Sequence, residues 1–400
     1  MLNDKSNDVL QKMLDQLELP DGAYEKAEKR YEDIYEWLVR EGSSCVQLDP
    51  HVYPCGSFRL GTAIRPVHAQ EEYDLDMSCV LRQSVSKTTH TQFQLKKLIG
   101  DELELYRKAR GIQQRLGEKS RCWRLEYADT LKFHLDIVPG IPEVANRQVF
   151  LREAMILNTR LDKNLAMEVA RHAVSITDNT AVDYSLLSHE WPISNPEGFA
   201  KWFESRMKLA HRFLEARGVL LKAQIDEIPY YQWKTPLQQV IQILKRHRDT
   251  MFRNNLDSKP ISVIITTLAA KAYQGESDLA SALERVLDDM DKYINQMTPL
   301  VPNPVNPAED FAHKWYAPEY EKDRLKESFK RWLDQARIDF GAVLAANNPT
   351  RIVETADHGF GITLNKSDVA SLLGVTVPAA IPVRKILASE PKPWFDRDKK

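Results

Sequence analysis

The chain changes its apolar rhythm twice between its ends. From Asp21 to Arg40, the residues Tyr24, Ala27, Tyr31, Ile34 and Leu38 recur at steps of three and four, one stripe of an amphipathic helix. From about Val46 to Pro142, short runs alternate apolar and polar residues with turn residues between them, the period of half-buried strands. Helical spacing returns from about Pro196, over Phe199 to Leu214, Leu237 to Phe252, Ile261 to Tyr273 and Leu279 to Met297. Prolines and asparagines between Pro299 and Pro307 set a break before a further helix at about Tyr320 to Ala346. The stretch from Pro378 to Lys400, rich in proline and charge, is expected to trail over the surface. The order predicts an α+β fold in three parts. Residues 1–195 form a helix plus a catalytic lobe with a mixed sheet, residues 196–378 an α-helical lobe, and residues 379–400 a tail.

Two strand-like runs carry the candidate chemistry. In the run from Glu72 to Val80, Tyr73, Leu75, Met77 and Cys79 alternate with Asp74, Asp76 and Ser78. A strand sends alternate side chains to opposite faces, so Asp74 and Asp76 share one face above an apolar layer. In the run from Leu131 to Ile137, Leu131, Phe133, Leu135 and Ile137 face one way and Lys132, His134 and Asp136 the other. Neighbouring strands would bring the three aspartates together. Such carboxylates repel one another unless a cation neutralises them, and Mg²⁺ takes ligands of this kind together with substrate phosphates. A lone Asp-x-Asp is more often a solvated strand face. Gly56-Ser57 upstream changes that balance, because glycine permits close backbone approach and serine offers an amide and a hydroxyl to a phosphate.

Composition narrows the substrate more than the fold. A chain of 400 residues with 43% hydrophobic and 28% charged residues is that of an ordinary globular protein. A formal net charge of −2 lacks the basic excess of proteins that track long nucleic acid, so a small substrate is favoured over RNA or DNA. Four cysteines, none in a Cys-x-x-Cys pair, give no zinc spacing and require no disulfide framework. Without a signal core or a run of about 20 apolar residues, the expectation is a cytoplasmic protein with no membrane partner.

With these residues in view, the chain resembles the polymerase-β-like nucleotidyltransferase superfamily, through Gly56-Ser57, Asp74-x-Asp76 and Asp136. The run from Gly56 to Thr62, the segment from Trp191 to Phe203, and the helical stretch from Lys234 to Asp249 with Pro260 to Leu268 resemble more closely the bacterial cGAS/DncV-like nucleotidyltransferases (CD-NTases) of anti-phage signalling (CBASS). The resemblance implies a cleft between the lobes in which nucleoside triphosphates, ATP among them, are condensed to a cyclic di- or trinucleotide with release of pyrophosphate. It implies that Asp74, Asp76 and Asp136 are catalytic and hold two Mg²⁺ or Mn²⁺ ions. Gly56, Ser57, Lys245 and Ser262 would bind the nucleotide phosphates. It also implies a product-activated effector protein and a regulatory partner protein. The competing reading is nucleotide transfer to an RNA 3′ end or to a protein. Trp191, Trp202 and Phe203 are expected to fill a core rather than stack on a base, and His134 and His247 to pack or hydrogen-bond rather than catalyse.

Overall fold

The computed structural model describes residues 4–20, 22–67, 72–127, 133–216, 234–345 and 348–375. Residues 378–400, Leu131 and Lys132 lie outside that set. In chain order the elements are α1 (Asp4–Asp15), α2 (Ala23–Val39), β1 (Pro50–Cys55), α3 (Gly56–Arg59), β2 (Tyr73–Leu81), α4 (Gln92–Ala109), β3 (Gly117–Glu118), β4 (Trp123–Tyr127) and β5 (Phe133–Pro142). They continue with α5 (Ala145–Ala154), α6 (Lys163–Ala170), β6 (Val174–Ile176), β7 (Ile193–Ser194), α7 (Pro196–Ala216), α8 (Pro236–Met251), α9 (Ser262–Ala272) and α10 (Leu279–Asp289). A small hairpin, β8 (Pro302–Asn303) and β9 (Asn306–Asp310), precedes α11 (Leu325–Ala345), α12 (Pro349–Phe360) and α13 (Lys366–Leu373).

The sheet is mixed, in the order β1-β2-β5-β4-β3, with β6 beside the far end of β5 and β7 beside β6. β2 and β5 are parallel neighbours, whereas β1 and β4 run antiparallel to them. A parallel pair needs a long crossover, and α4 with the β3–β4 hairpin supplies it. The sheet's inner face, with Leu75, Met77, Phe133, Leu135 and Ile137, is buried against α2 and α4.

The sequence expectation of sheet from Val46 to Pro142 is corrected by α4. Leu95, Ile99, Leu103 and Tyr106 form its buried stripe at steps of four and three, and Thr91 with Gln94 makes a capping box at its start. The polar N-terminus also hides a helix, α1, whose Val9, Leu10, Met13 and Leu14 are buried. These side chains, with Leu151 of α5 and Ala166 of α6, belong to the same apolar cluster as α8 to α13. The helical cluster thus draws on segments from before and after the sheet. Expected helix ends also move: α10 stops at Asp289 and passes into a 3-10 turn, and α11 begins only at Leu325.

Candidate active site

The sheet's outer face carries the acidic wall. Register places Asp76 beside Asp136 and Asp74 beside His134 on the parallel pair β2–β5. The next strand places Arg124 opposite Asp136. Arg124 grips that carboxylate with a fork, Nε donating to Oδ1 at 2.7 Å and Nη2 to Oδ2 at 2.6 Å. His134 Nε2 contacts Asp74, while its Nδ1 lies 3.2 Å from Glu72. Asp76 sits deepest of the three. Burial, then Asp74 and Asp136, push its carboxyl up to about 6.

Gly56 explains how Asp76 reaches so deep. It sits at φ 61°, and a Cβ there would collide with the Asp76 carboxylate. β1 pairs Cys55 with Asp76, so the Gly-Ser turn begins directly over the carboxylate. The turn is α3, whose Arg59 reaches back to α7 and pairs with Glu197 at 3.1 Å and Glu204 at 2.8 Å.

The opposite wall is α8. Its start is fixed by the Thr235–Gln238 capping box with Pro236 in the first turn. One face then donates to the extended segment after the Gly-Ser turn. Gln238 Nε2 reaches the Leu60 carbonyl at 2.9 Å, Gln242 Nε2 that of Ala63 at 2.8 Å, Lys245 Nζ that of Thr62 at 2.8 Å, and Arg246 Nη2 that of Arg65 at 2.7 Å. Spacings of three and four put these donors on one helical stripe. Lys245 is buried, and burial with the nearby Arg248 guanidinium pulls its ammonium down to about 8. Arg248 donates to Ser262 Oγ at 2.8 Å and pairs with Asp249 at 2.7 Å.

Between the walls lies a cavity of about 760 Å³. Gly56, Ser57, Asp74, Asp76, Lys245 and Ser262 all line it. Asp136 does not; Arg124, which grips it, stands on the wall instead. Among the described residues, no three carboxylate, imidazole or thiol groups converge into a ready metal cage. The donor set still suits a hard divalent cation. It is all carboxylate oxygen, and the deepest carboxyl carries an electrostatic cost that a cation would relieve. Trp191, Trp202 and Phe203 are buried at 2%, 4% and 0% exposure, which makes them core. His247 is buried too, 2.9 Å from Asp339. Sequence reasoning missed Arg124, and with it Asn303, Glu309 and Phe311, which line the cavity from the β8–β9 hairpin. Arg124 had a signal, since Trp123-Arg-Leu-Glu-Tyr127 alternates like the other strands.

Residues 50–139 match the family described as cyclic GMP-AMP synthase DncV-like, nucleotidyltransferase domain. A c-di-GMP synthase of Roseivirga ehrenbergii is 30% identical over 316 residues, covering 77% of this chain and 72% of that protein. The chain belongs to the DncV-like nucleotidyltransferases. In this family setting the matched segment spans β1 to β5, and so holds Gly56, Ser57 and all three aspartates. The fold agrees across nearly the whole chain. The structure of Bradyrhizobium diazoefficiens CdnG in complex with GTP is similar at TM-score 0.62 and 21% identity, covering 93% of this chain and 99% of that one. A complex of Escherichia coli CdnC with HORMA-deltaN is similar at TM-score 0.56 and 14% identity, covering 90% and 98%. This DncV-like chain is therefore a nucleotidyltransferase with a polymerase-β-like catalytic sheet. No helix among the described residues is long and apolar enough to cross a membrane.

Proposed function

We propose that the protein condenses nucleoside triphosphates into a cyclic dinucleotide or trinucleotide, releasing pyrophosphate, as a second messenger in anti-phage signalling. The observation that carries this reading is the pairing of Asp76 with Asp136 on parallel strands, directly beneath the Gly56-Ser57 turn. GTP joins ATP as a candidate substrate, because one relative is named a c-di-GMP synthase and another is solved with GTP.

Two divalent cations, Mg²⁺ or Mn²⁺, held by Asp74, Asp76 and Asp136 would neutralise developing charge and acidify the attacking hydroxyl. Asp136 would join the other two with one acceptor site on each of its oxygens already held by the Arg124 fork. Gly56 and Ser57 would present backbone amide and hydroxyl groups to the donor phosphates. Lys245 would share its ammonium between the Thr62 carbonyl and those phosphates, and Ser262 would approach them from the start of α9. Of the proposed lobes, residues 1–195 would supply the carboxylates and residues 196–378 the phosphate grip, with α1, α5 and α6 lending apolar faces to the helical side. A cytoplasmic site of action, with its ready supply of Mg²⁺ and NTPs, is part of this proposal, as are an effector protein answering the product and a regulator. The CdnC complex with HORMA-deltaN supports the last of these by analogy.

The test is incubation with all four NTPs and Mg²⁺, phosphatase treatment and mass spectrometry, beside an Asp74→Ala, Asp76→Ala protein. A phosphatase-resistant ring made only by the wild type is expected. Pyrophosphate without a ring would assign transfer to RNA or protein instead.

A further inference from the structure

We propose that Glu309, held in place by Asn303, reads the Watson–Crick edge of guanine and so sets the base preference of the cleft. The inference rests on the nucleotide-condensing function proposed above and names the residue that selects its substrate.

The cavity has a second carboxylate that the catalytic account leaves unused. Glu309, on β9, lines the same 760 Å³ space as Asp74 and Asp76. The charged side chains that act on it are Arg121 and His313, not the three aspartates, so it stands outside the cation-binding group. Asn303 donates to its Oε2 at 2.7 Å. Asn303 is itself fixed, 5% exposed, with its Oδ1 accepting from the Val305 amide at 3.0 Å. A carboxylate whose direction is set by a buried amide is preorganised as an acceptor. Burial holds the carboxyl above its usual range, a cost that donors on a ligand would relieve.

Beyond the Asn303 bond, the hairpin is tied down by a different carboxylate. The adjacent Asp310 points to the other side and accepts the amides of Leu300 at 2.7 Å, Val301 at 2.9 Å and Ala312 at 2.9 Å. That carboxylate ties the hairpin down; Glu309 faces the cleft. Beside it Phe311 and Phe199 form an aromatic wall, ring centroids 6.1 Å apart, and both line the cavity. An apolar wall next to a directed acceptor suits a planar heterocycle that carries donors.

Base chemistry then selects the heterocycle. An ionised carboxylate only accepts hydrogen bonds. Guanine offers two adjacent donors, N1–H and the 2-amino group, which meet two carboxylate oxygens. Adenine and cytosine offer one amino donor beside a ring nitrogen whose lone pair the carboxylate repels. Uracil offers one N–H between two carbonyls. Hypoxanthine keeps N1–H and lacks the 2-amino group, which makes ITP the sharpest probe.

The experiment is equilibrium binding of GTP, ITP and ATP, with Ca²⁺ in place of Mg²⁺ and the nucleotides checked for being unconsumed, to the wild type, to Glu309→Gln and to Glu309→Asp, with thermal midpoints to confirm folding. The wild type is expected to favour GTP over ITP and ATP by about 10- to 100-fold, as for bonds to a charged group that the analogue cannot make. Glu309→Gln should bring the GTP-to-ITP ratio close to one, and Glu309→Asp should keep part of it. Wild-type ratios retained in a folded Glu309→Gln protein, or a wild type that binds GTP and ITP alike, would overturn the proposal. Because binding is read without turnover, a protein that selects GTP through Glu309 yet forms no ring would sink the functional reading and leave the base recognition standing.

Discussion

The two walls of the cleft both place polar side chains where a core would place apolar ones, and they treat those side chains in opposite ways. On α8, Gln238, Gln242, Lys245 and Arg246 each end on a backbone carbonyl of residues 60–65. On the sheet, Asp76 is half-buried beside Asp74 and Asp136 with its carboxyl pushed up to about 6. One wall has satisfied most of its donors within the protein, with Lys245, drawn down to about 8, keeping the largest remaining cost. The other keeps its cost open for a ligand to relieve, as reacting centres commonly do. The helix wall holds the Gly-Ser segment; under the proposed function the sheet wall would do the chemistry above it.

The strongest way to break this contrast is Asp76→Asn. It removes the deepest carboxylate, and pyrophosphate release should fall by about a thousandfold or more, as expected when cation-assisted charge stabilisation is lost. A loss of only a few-fold, measured by phosphate-coupled assay, would move the reacting centre elsewhere. Next comes Gly56→Ala, whose Cβ would meet the Asp76 carboxylate at a positive φ. It should cost about 1–3 kcal/mol in denaturant titration, with turnover falling further than stability accounts for.

On the helix wall the expected effects are smaller and structural. Gln242→Ala orphans the buried Ala63 carbonyl and should cost about 1–3 kcal/mol in unfolding free energy. Activity at low temperature should drop only a few-fold. The smallest effect is a pH limb. With Lys245 drawn down to about 8, its charge is present below that pH and lost above it. The free-enzyme profile, kcat/KM, should therefore decline above about pH 8, and Lys245→Arg should lose that decline.

Much of the acidic wall was legible in the sequence, because alternation in Tyr73-Asp-Leu-Asp-Met77 and in Phe133-His-Leu-Asp-Ile137 already assigns faces. What alternation cannot supply is the partner across the strand, so Arg124 gripping Asp136 and His134 against Asp74 were not foreseen. The polar stripe of α8 does not name its partners in the sequence, which cannot show that an extended segment some 180 residues earlier presents carbonyls to it. α4 was overlooked because strand-like runs on both sides carried the reading across it, although Leu95, Ile99, Leu103 and Tyr106 keep helical spacing. The β8–β9 hairpin, two short strands among prolines, gave no periodicity at all.

The central claim is that the β2–β5 carboxylates form the reacting centre and hold a cost that cations relieve. A folded-state carboxyl near 6 lies above its unfolded value, so folding takes up a proton between about pH 4 and 6. Stability therefore drops as pH rises through that window and stays lower above it. The direct measurement is the thermal midpoint at pH 7.5, with and without Mg²⁺ and GTP, for the wild type and Asp76→Asn. The account predicts that Asp76→Asn melts higher than the wild type without cation, by the equivalent of about 1–3 kcal/mol. It further predicts that Mg²⁺ with GTP raises the wild-type midpoint and leaves that of the variant nearly unmoved. A variant that starts lower, or gains as much from Mg²⁺ and GTP as the wild type, would contradict it.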